Sequence, residues 1–445
     1  MKEKSNIKIH FIGIGGIGMS ALAKYCKSIG CIVQGSDSNF SDEIRELTSQ
    51  GIKVFIDHDR KNVKGVDVFI YSSAISKNNP EYQFAIDNKK TLLKRSQLLF
   101  YVMKNFDNKI AVAGCHGKTT SSLMIAHIFK CASKEFTSFI GGETALIKNF
   151  YSNNDNSKIC LVEACEYKKN FLDLKPNVTL ITNVDNDHMD CYKDLNDLVL
   201  TYKEFIDQSL NFINADDDNS LPLVNTCSTT YGISNKAMYQ AKNLKENSNF
   251  YSFNVYEYGI NLGKINLKIK GIHNVYNALG AISIARKFNI SFYKIKKALE
   301  TFYGAKRRDE IIFEDKNNTY IVDYAHHPNE ISATLKNYDK NNTLVIFQPH
   351  TYSRTKLLME DFITSLKDCN LIIYQSYSAR EEYDVNGSAY TLYKKLLLIN
   401  DKVDYADDEK SLFLLLKSKK SKYKNILFLG AGNIYLVAKK YVNLI

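Results

Sequence analysis

The sequence predicts an α/β fold of three domains with largely parallel sheets, and three observations carry that prediction. Apolar strand-like runs alternate with helical patterns almost throughout. Two glycine loops, Gly13–Gly18 and Gly114–Gly117, each follow such a run and precede a helical stretch. The chain has 445 residues, enough for two or three domains at roughly 100–200 residues each.

The first block, residues 1–106, opens with a strand over Ile7–Ile12, the glycine loop and a helix from about Met19 to Ile29. A second strand, Ile32–Gly35, leads to Ser36-Asp37. The second block, 107–304, opens with a strand over Ile110–Ala113, then a glycine loop and a helix from about Thr120 to Phe129. Strands are also expected over Ile159–Val162 and Val178–Thr182. The third block, 305–445, begins at Lys306-Arg307-Arg308, with strands near Tyr320–Asp323, Thr343–Phe347, Leu371–Tyr374 and Ile426–Leu429.

Composition narrows the class. Hydrophobic residues make up 44% and charged residues 24%, the balance of a soluble globular chain. No apolar run reaches the ~18 residues of a membrane span. Lysines before an apolar stretch, and Ala21-Leu22-Ala23, imitate a secretion signal, but four glycines at 13, 15, 16 and 18 suit a phosphate loop better than a hydrophobic helix. Nine scattered cysteines form no C-x-x-C pair, so neither a disulfide framework nor a zinc site is indicated, and reduced thiols in a cytoplasm are expected. The net charge of +11 is spread among abundant asparagines rather than gathered into a nucleic-acid motif. The run Lys417, Lys419, Lys420, Lys422, Lys424 reads as a solvated helix end.

Three constellations carry chemistry. Gly13-Ile14-Gly15-Gly16-Ile17-Gly18 lets backbone N–H groups approach a diphosphate at a helix N-terminus, with Asp37 where a dinucleotide site places its ribose-binding acid. This does not choose between NAD and a UDP-sugar. Gly114-Cys115-His116-Gly117-Lys118-Thr119-Thr120 ends as a P-loop does, with Lys118 for phosphates and Thr119 for Mg²⁺. Val112 stands where the strict motif needs glycine, so the loop is shortened. Adjacent Cys115 and His116 on a tight loop do not suit a nucleophile–base pair. Glu163, at a strand's C-terminal end beside the P-loop strand, is placed for a metal. Asn183, Asp185, Asp187, His188 and Asp190 either hold a second Mg²⁺, orient a substrate, or cap the next helix. His273-Asn274 with Asn277, Arg307-Arg308, Asp323 to Pro328, and His350 with Arg354 form a dispersed polar set that suggests a cleft between domains.

Over essentially its whole length the sequence resembles the Mur ligase family. The likeness runs from His10–Ser20 through Gly35-Ser36-Asp37, Ser72-Ser73-Ala74-Ile75 and Asn79-Pro80-Glu81. It continues through Ala111–Gly114, His116–Thr120, Thr182-Asn183 and Asp187–Asp190, and ends with His273-Asn274, Arg307-Arg308, Asp323-Tyr324 and Phe347–His350. The opening glycine segment with Met19-Ser20 points to the alanine-adding member; the nearest alternative is a sister ligase adding another amino acid or a recycled peptide.

The resemblance implies a Rossmann-like UDP-binding domain, a central P-loop ATPase domain and a Rossmann-like C-terminal domain. It implies ATP and Mg²⁺ as cofactors, UDP-N-acetylmuramate and L-alanine as substrates, a cytoplasmic monomer or weak homodimer, and no nucleic-acid or membrane partner. By matched position, Gly13, Gly15, Gly16, Ile17, Gly18, Asp37 and Ser73 hold the UDP-sugar. Gly114 through Thr120 hold the ATP phosphates, with Lys118 catalytic and Thr119 on Mg²⁺. Glu163 and His188 serve a second Mg²⁺, His273 and Asn277 meet the adenine, and Arg308 and Asp323 reach the nucleotide, Asp323 at its ribose. His326 and Arg354 face the substrates. The chain departs from the family at Cys115 (often Thr), at Cys165-Glu166-Tyr167-Lys168 (often Asp-Glu-Ser-Asp), at Val322 (often Asp), at Asp309 (an aromatic elsewhere) and at Thr351 (Arg in some members).

Overall fold

The structure is a computed structural model that describes residues 7–154, 156–186, 191–247, 250–379 and 381–445. It divides into two compact units, Met1–Tyr303 and Gly304–Ile445.

The first unit holds two sheets. Strands β1 (Lys8–Ile12), β2 (Ile32–Asp37), β3 (Lys53–Ile56), β4 (Val68–Tyr71) and β5 (Thr91–Lys94) pair in parallel in the order β3-β2-β1-β4-β5. The order reverses at β1, so a crevice opens beyond its C-terminal end, where such sheets bind ligands. The glycine loop lies there.

The second sheet has ten strands: β6 (Asn108–Ala113), β7 (Thr137–Phe139), β8 (Phe150–Ser152), β9 (Ile159–Glu163), β10 (Val178–Ile181), β11 (Leu210–Asn214), β12 (Thr229–Gly232), β13 (Tyr239–Asn247), β14 (Phe250–Glu257) and β15 (Ile260–Leu267). The order is β15-β14-β13-β12-β11-β10-β6-β9-β7-β8. Its middle, from β7 to β13, is parallel. An antiparallel meander, β13 to β15, extends one edge and β8 closes the other. The largely parallel sheet expected from sequence thus carries antiparallel edges; these strands mix Lys, Asn and Tyr and lack the continuous apolar runs that mark buried parallel strands.

Both sheets share one core. Ile9, Phe11 and Leu22 of the first block join Ala111, Val162 and Tyr202 of the second, with Leu99, Val102, Met103 and Phe106 between them. The helix Arg95–Met103 is therefore a packed element, not a linker.

Both glycine loops run straight into helices, Ile17–Ser28 and Lys118–Cys131, with no side-chain cap at either start. The helices begin earlier than the sequence indicates because no Ser, Thr, Asp or Asn marks the boundary.

The second unit is a six-stranded sheet of β16 (Glu310–Glu314), β17 (Thr319–Asp323), β18 (Thr343–Phe347), β19 (Asn370–Tyr374), β20 (Val403–Ala406) and β21 (Asn425–Leu429), ordered β16-β17-β21-β18-β19-β20. Only β16 runs antiparallel. Val322 is buried with Leu344, Ile346 and Phe428, so an unpaired carboxylate at this position would be costly.

Candidate active site

Beyond β1 the chain turns at Gly13, whose φ is +82°. The N–H groups of Gly13 and Ile14 both donate to Ser36 O, at 2.8 and 3.0 Å. The Gly15 N–H donates to Asp37 Oδ2 at 3.0 Å. Asp37 is buried and braces the loop; it also accepts from Asn39 N–H at 3.3 Å. The acid expected at a ribose thus spends acceptors on the loop. Ser73 is exposed in the turn after β4, and it is Ser72 and Ile75 that lie against Gly13. A Cβ built on Gly18 would stand 3.0 Å from Arg95 Nη1. Gly16 and Ile17 complete the turn into the helix.

The second loop is tied to its neighbour strand's exit. Gly114 has φ +130°, and a Cβ there would fall 2.1 Å from Thr182 Oγ1. The Thr182 hydroxyl donates to His116 O at 2.6 Å, and Asn183 grips His116 from both sides, accepting its N–H at 2.8 Å and donating to its O at 2.9 Å. The Cys115 thiol bonds both the N–H and the carbonyl of Asp185, at 3.1 and 3.2 Å. The thiol thus straps the loop to the segment that follows Ile181. Thr120 sits half-buried in the helix's first turn.

Lys118 folds back onto this loop. Its Nζ donates to Gly114 O, to Cys115 O at 3.1 Å, and to both oxygens of Glu166 at 3.2 Å. Burial disfavours the ammonium, but the Glu166 carboxylate reverses this and holds its pKa above the ordinary lysine range. Thr119 Oγ1 donates to Glu163 Oε1 at 2.8 Å, and Gly141 N–H holds Glu163 Oε2 at 2.7 Å. Two hard oxygen donors therefore meet at the ends of adjacent elements, which suits Mg²⁺ completed by waters and phosphates. Among the described residues no group of three or more His, Cys, Asp or Glu could hold a metal alone. His188, with Asp187, Met189 and Asp190, lies outside the described residues.

The expected adenine contacts divide. His273 is exposed at the start of helix Ile272–Lys287. Asn277 is buried against Gly117: it accepts from Ser121 Oγ at 3.1 Å and donates to Asn274 Oδ1 at 3.1 Å. Its amide ties the P-loop helix to helix Ile272–Lys287.

In the second unit, Asp323 is buried at the end of β17. It accepts from Asp309 N–H and Ala325 N–H, both at 2.7 Å, and from Thr334 Oγ1 at 3.3 Å. Burial raises its pKa despite Arg308 nearby. The carboxylate expected at a ribose also ties the end of its strand to the backbone around it. Arg308 lies 3.7 Å from Glu330 and over the Tyr324 ring. His326 Nδ1 lies 3.0 Å from Tyr324 O and 3.2 Å from Glu330. Its ring meets His350 edge-on, and His350 stacks on Tyr377. His350 Nδ1 and Arg354 Nη1 are buried without a hydrogen-bond partner among the described residues. Thr351 between them has φ +66°, a left-handed conformation unusual for a β-branched residue.

Three family models match consecutive stretches: the Mur ligase family catalytic domain over residues 8–107, the Mur ligase middle domain over 112–285, and the Mur ligase glutamate ligase domain over 307–432. The chain belongs to the Mur ligase family. It is 39% identical to the UDP-N-acetylmuramate–L-alanine ligase of Clostridium beijerinckii, over 99% of this chain and 98% of that one. It is 38% identical to the same-named ligase of Aquifex aeolicus, over 96% and 95%. The crystal structure of UDP-N-acetylmuramate–alanine ligase from Thermotoga maritima superposes with a TM-score of 0.86, covering 98% of this chain and 99% of that one at 27% identity. A murein peptide ligase from Psychrobacter arcticus shares the fold with a TM-score of 0.74, at 19% identity over 98% of each chain.

For a Mur ligase chain, sequence reasoning passed over two neighbours of the site. Glu166 registered only within a departure from the family pattern, yet it is the ion-pair partner of Lys118. Arg95 gave no local signal, because the contact that places it against Gly18 spans most of the first block.

Proposed function

We propose that this protein ligates L-alanine to the lactyl carboxylate of UDP-N-acetylmuramate, with ATP consumed to ADP and phosphate, in peptidoglycan precursor synthesis. The observation that carries the reading is the presence, in one compact unit, of a diphosphate-type glycine loop and a lysine P-loop beside the Thr119–Glu163 pair. The chain also aligns end to end with ligases of that name.

A carboxylate oxygen is a poor leaving group, so the acid must be activated before an amine can displace it. The lactyl carboxylate attacks the γ-phosphoryl group of ATP, giving an acyl phosphate and ADP. The alanine amine then attacks the acyl carbon, and phosphate leaves. Lys118 neutralises charge on the transferring group, turning from Glu166 toward the phosphates; positioning and electrostatics are the main contributions a protein makes to such a transfer. Thr119 and Glu163 would hold Mg²⁺, which supplies charge neutralisation at the phosphate oxygens. Gly13, Gly15, Gly16, Ile17 and Gly18 receive the UDP diphosphate. His326 and Arg354 of the second unit are assigned to the substrates, Arg354 having a buried guanidinium nitrogen without a hydrogen-bond partner among the described residues. His188 is assigned to the metal by matched position alone. Among the described residues no helix is long and apolar enough to cross a membrane.

Phosphate release measured with UDP-N-acetylmuramate and ATP, and with alanine, glycine, serine or D-glutamate in turn, tests the reading. Alanine should give the highest turnover. Turnover with D-glutamate but not alanine would assign the chain to a sister reaction.

A further inference from the structure

The hairpin formed by β7 and β8 touches both loops of the first unit. At its tip, Gly141 N–H holds Glu163 Oε2 at 2.7 Å. A Cβ on Gly142 would fall 2.5 Å from Thr119 Cγ2, so the tip lies flat against the Thr119–Glu163 pair. At its base, Ile140 N–H bonds Asn149 O at 2.9 Å.

The Asn149 side chain leaves the hairpin and enters the first turn of helix Ile17–Ser28. It is 1% exposed. Its Nδ2 donates to Ile17 O at 2.9 Å and to Ser20 Oγ at 2.8 Å. Its Oδ1 accepts from Lys24 Nζ at 3.0 Å and from Phe150 N–H at 2.9 Å. The orientation of the amide is fixed, since a carbonyl can only accept and an ammonium can only donate. Two donors and two acceptors are all used. Lys24, itself buried, also pairs with Glu46 at 2.9 Å. The Tyr25 ring packs edge-on against Phe139 and Phe150. The turn that ends the glycine loop is thus bolted to a hairpin whose tip bears on the P-loop pair.

We propose that this hairpin couples the two phosphate-binding loops, with Asn149 as the positioning residue, so that a ligand at one loop raises affinity at the other. The inference rests on the reading that the glycine loop binds a UDP-sugar and the P-loop binds ATP. A ligand that orders one end of the hairpin spares the second ligand part of that ordering. Coupling of this kind is reciprocal and typically about 5- to 150-fold.

Isothermal titration of the full chain tests it. The affinity for a non-hydrolysable ATP analogue with Mg²⁺ is measured without and with saturating UDP-N-acetylmuramate, and then in the reverse order. The wild type should show a coupling factor above about 5 in both orders. Asn149→Ala should bring the factor below about 2 while each ligand alone binds within about threefold of wild type. Ser20→Ala, which removes one of the four partners, should give an intermediate factor and covers the case in which Asn149→Ala fails to fold. Amide exchange across residues 141–149 should slow when UDP-N-acetylmuramate alone is added, an effect that a purely structural Asn149 would not produce. Wild-type binding of both ligands with a factor of one, or full coupling in folded Asn149→Ala or Ser20→Ala, would overturn the proposal and leave the functional reading intact. Failure of the wild type to bind UDP-N-acetylmuramate would overturn both.

Discussion

Thr119 and Glu163 are in direct contact, the hydroxyl donating to the carboxylate at 2.8 Å. Such a contact places both donors around one point beside the P-loop, where a cation would replace the hydroxyl proton as the carboxylate's partner. Glu163→Gln preserves shape and removes charge. It should raise the Mg²⁺ concentration for half-maximal phosphate release at least about tenfold, or cut turnover by ~10², with little change in melting temperature. An unchanged Mg²⁺ titration in the folded variant would take the carboxylate out of the metal site.

Lys118 and Glu166 separate stability from catalysis. The Glu166 side chain is fully buried and the Lys118 side chain only 13% exposed. Lys118→Ala should reduce turnover by ~10²–10³. It also strands a buried carboxylate, a change that costs about 3–5 kcal/mol. Adding Glu166→Gln should recover much of the stability lost, measured by urea denaturation, and none of the turnover. Recovery of turnover in the double variant would mean that Lys118 serves the fold alone.

Much of the site was legible in the sequence where the chemistry is local. Gly114, Gly117, Lys118 and Thr119 announce themselves within one short loop. Glu163 follows from its place at a strand end. The pairing of Lys118 with Glu166 could not be read in the same way, because it depends on β6 and β9 lying side by side. Asn149 is equally silent: an isolated Asn before an aromatic strand has no pattern, and its partners Ile17, Ser20 and Lys24 are more than a hundred residues away. Asp37, Asn277 and Asp323 carry a second role that their types and positions did not announce: each is also hydrogen-bonded to backbone N–H groups or neighbouring side chains that hold the surrounding loops.

The glycine loop gives a steric prediction. The Gly18 position faces Arg95 at 3.0 Å from a built Cβ, and the Gly15 position faces Asp37 and Ile44 at 3.1 Å. Gly18→Val should weaken UDP-N-acetylmuramate at least about tenfold by displacing the guanidinium and closing the approach to the helix N-terminus. Titration with the ATP analogue alone should be much less affected, since the atoms nearest a Cβ at Gly18 are those of Arg95. Equal loss for both ligands would indicate a general folding defect, and unchanged UDP-sugar affinity would remove the loop from the site.

His350 gives a pH signature. Burial disfavours its imidazolium, the nearby positive groups His326 and Arg354 add to this, and Glu381 opposes it only partly, so its pKa is pushed down from 6.5 to about 4. An unfolded chain takes up the proton near 6.5, whereas the folded chain resists it until about 4. The stabilising contribution is therefore complete above pH 6.5 and is lost as pH falls through 4. Glu81 and Glu330, held well below the usual carboxylate range by His10 and His58 and by His326 respectively, despite burial, lose their contributions only below their unfolded value of 4.5. His127, also lowered by burial, changes in the same direction as His350 but in the first unit. The difference between wild type and His350→Gln isolates the one group. Between pH 7 and about 4.5, urea midpoints of the wild type should fall more steeply than those of the variant. Parallel curves would show that the His350 ring takes up its proton equally well folded and unfolded, and that its buried Nδ1 is not closed to it.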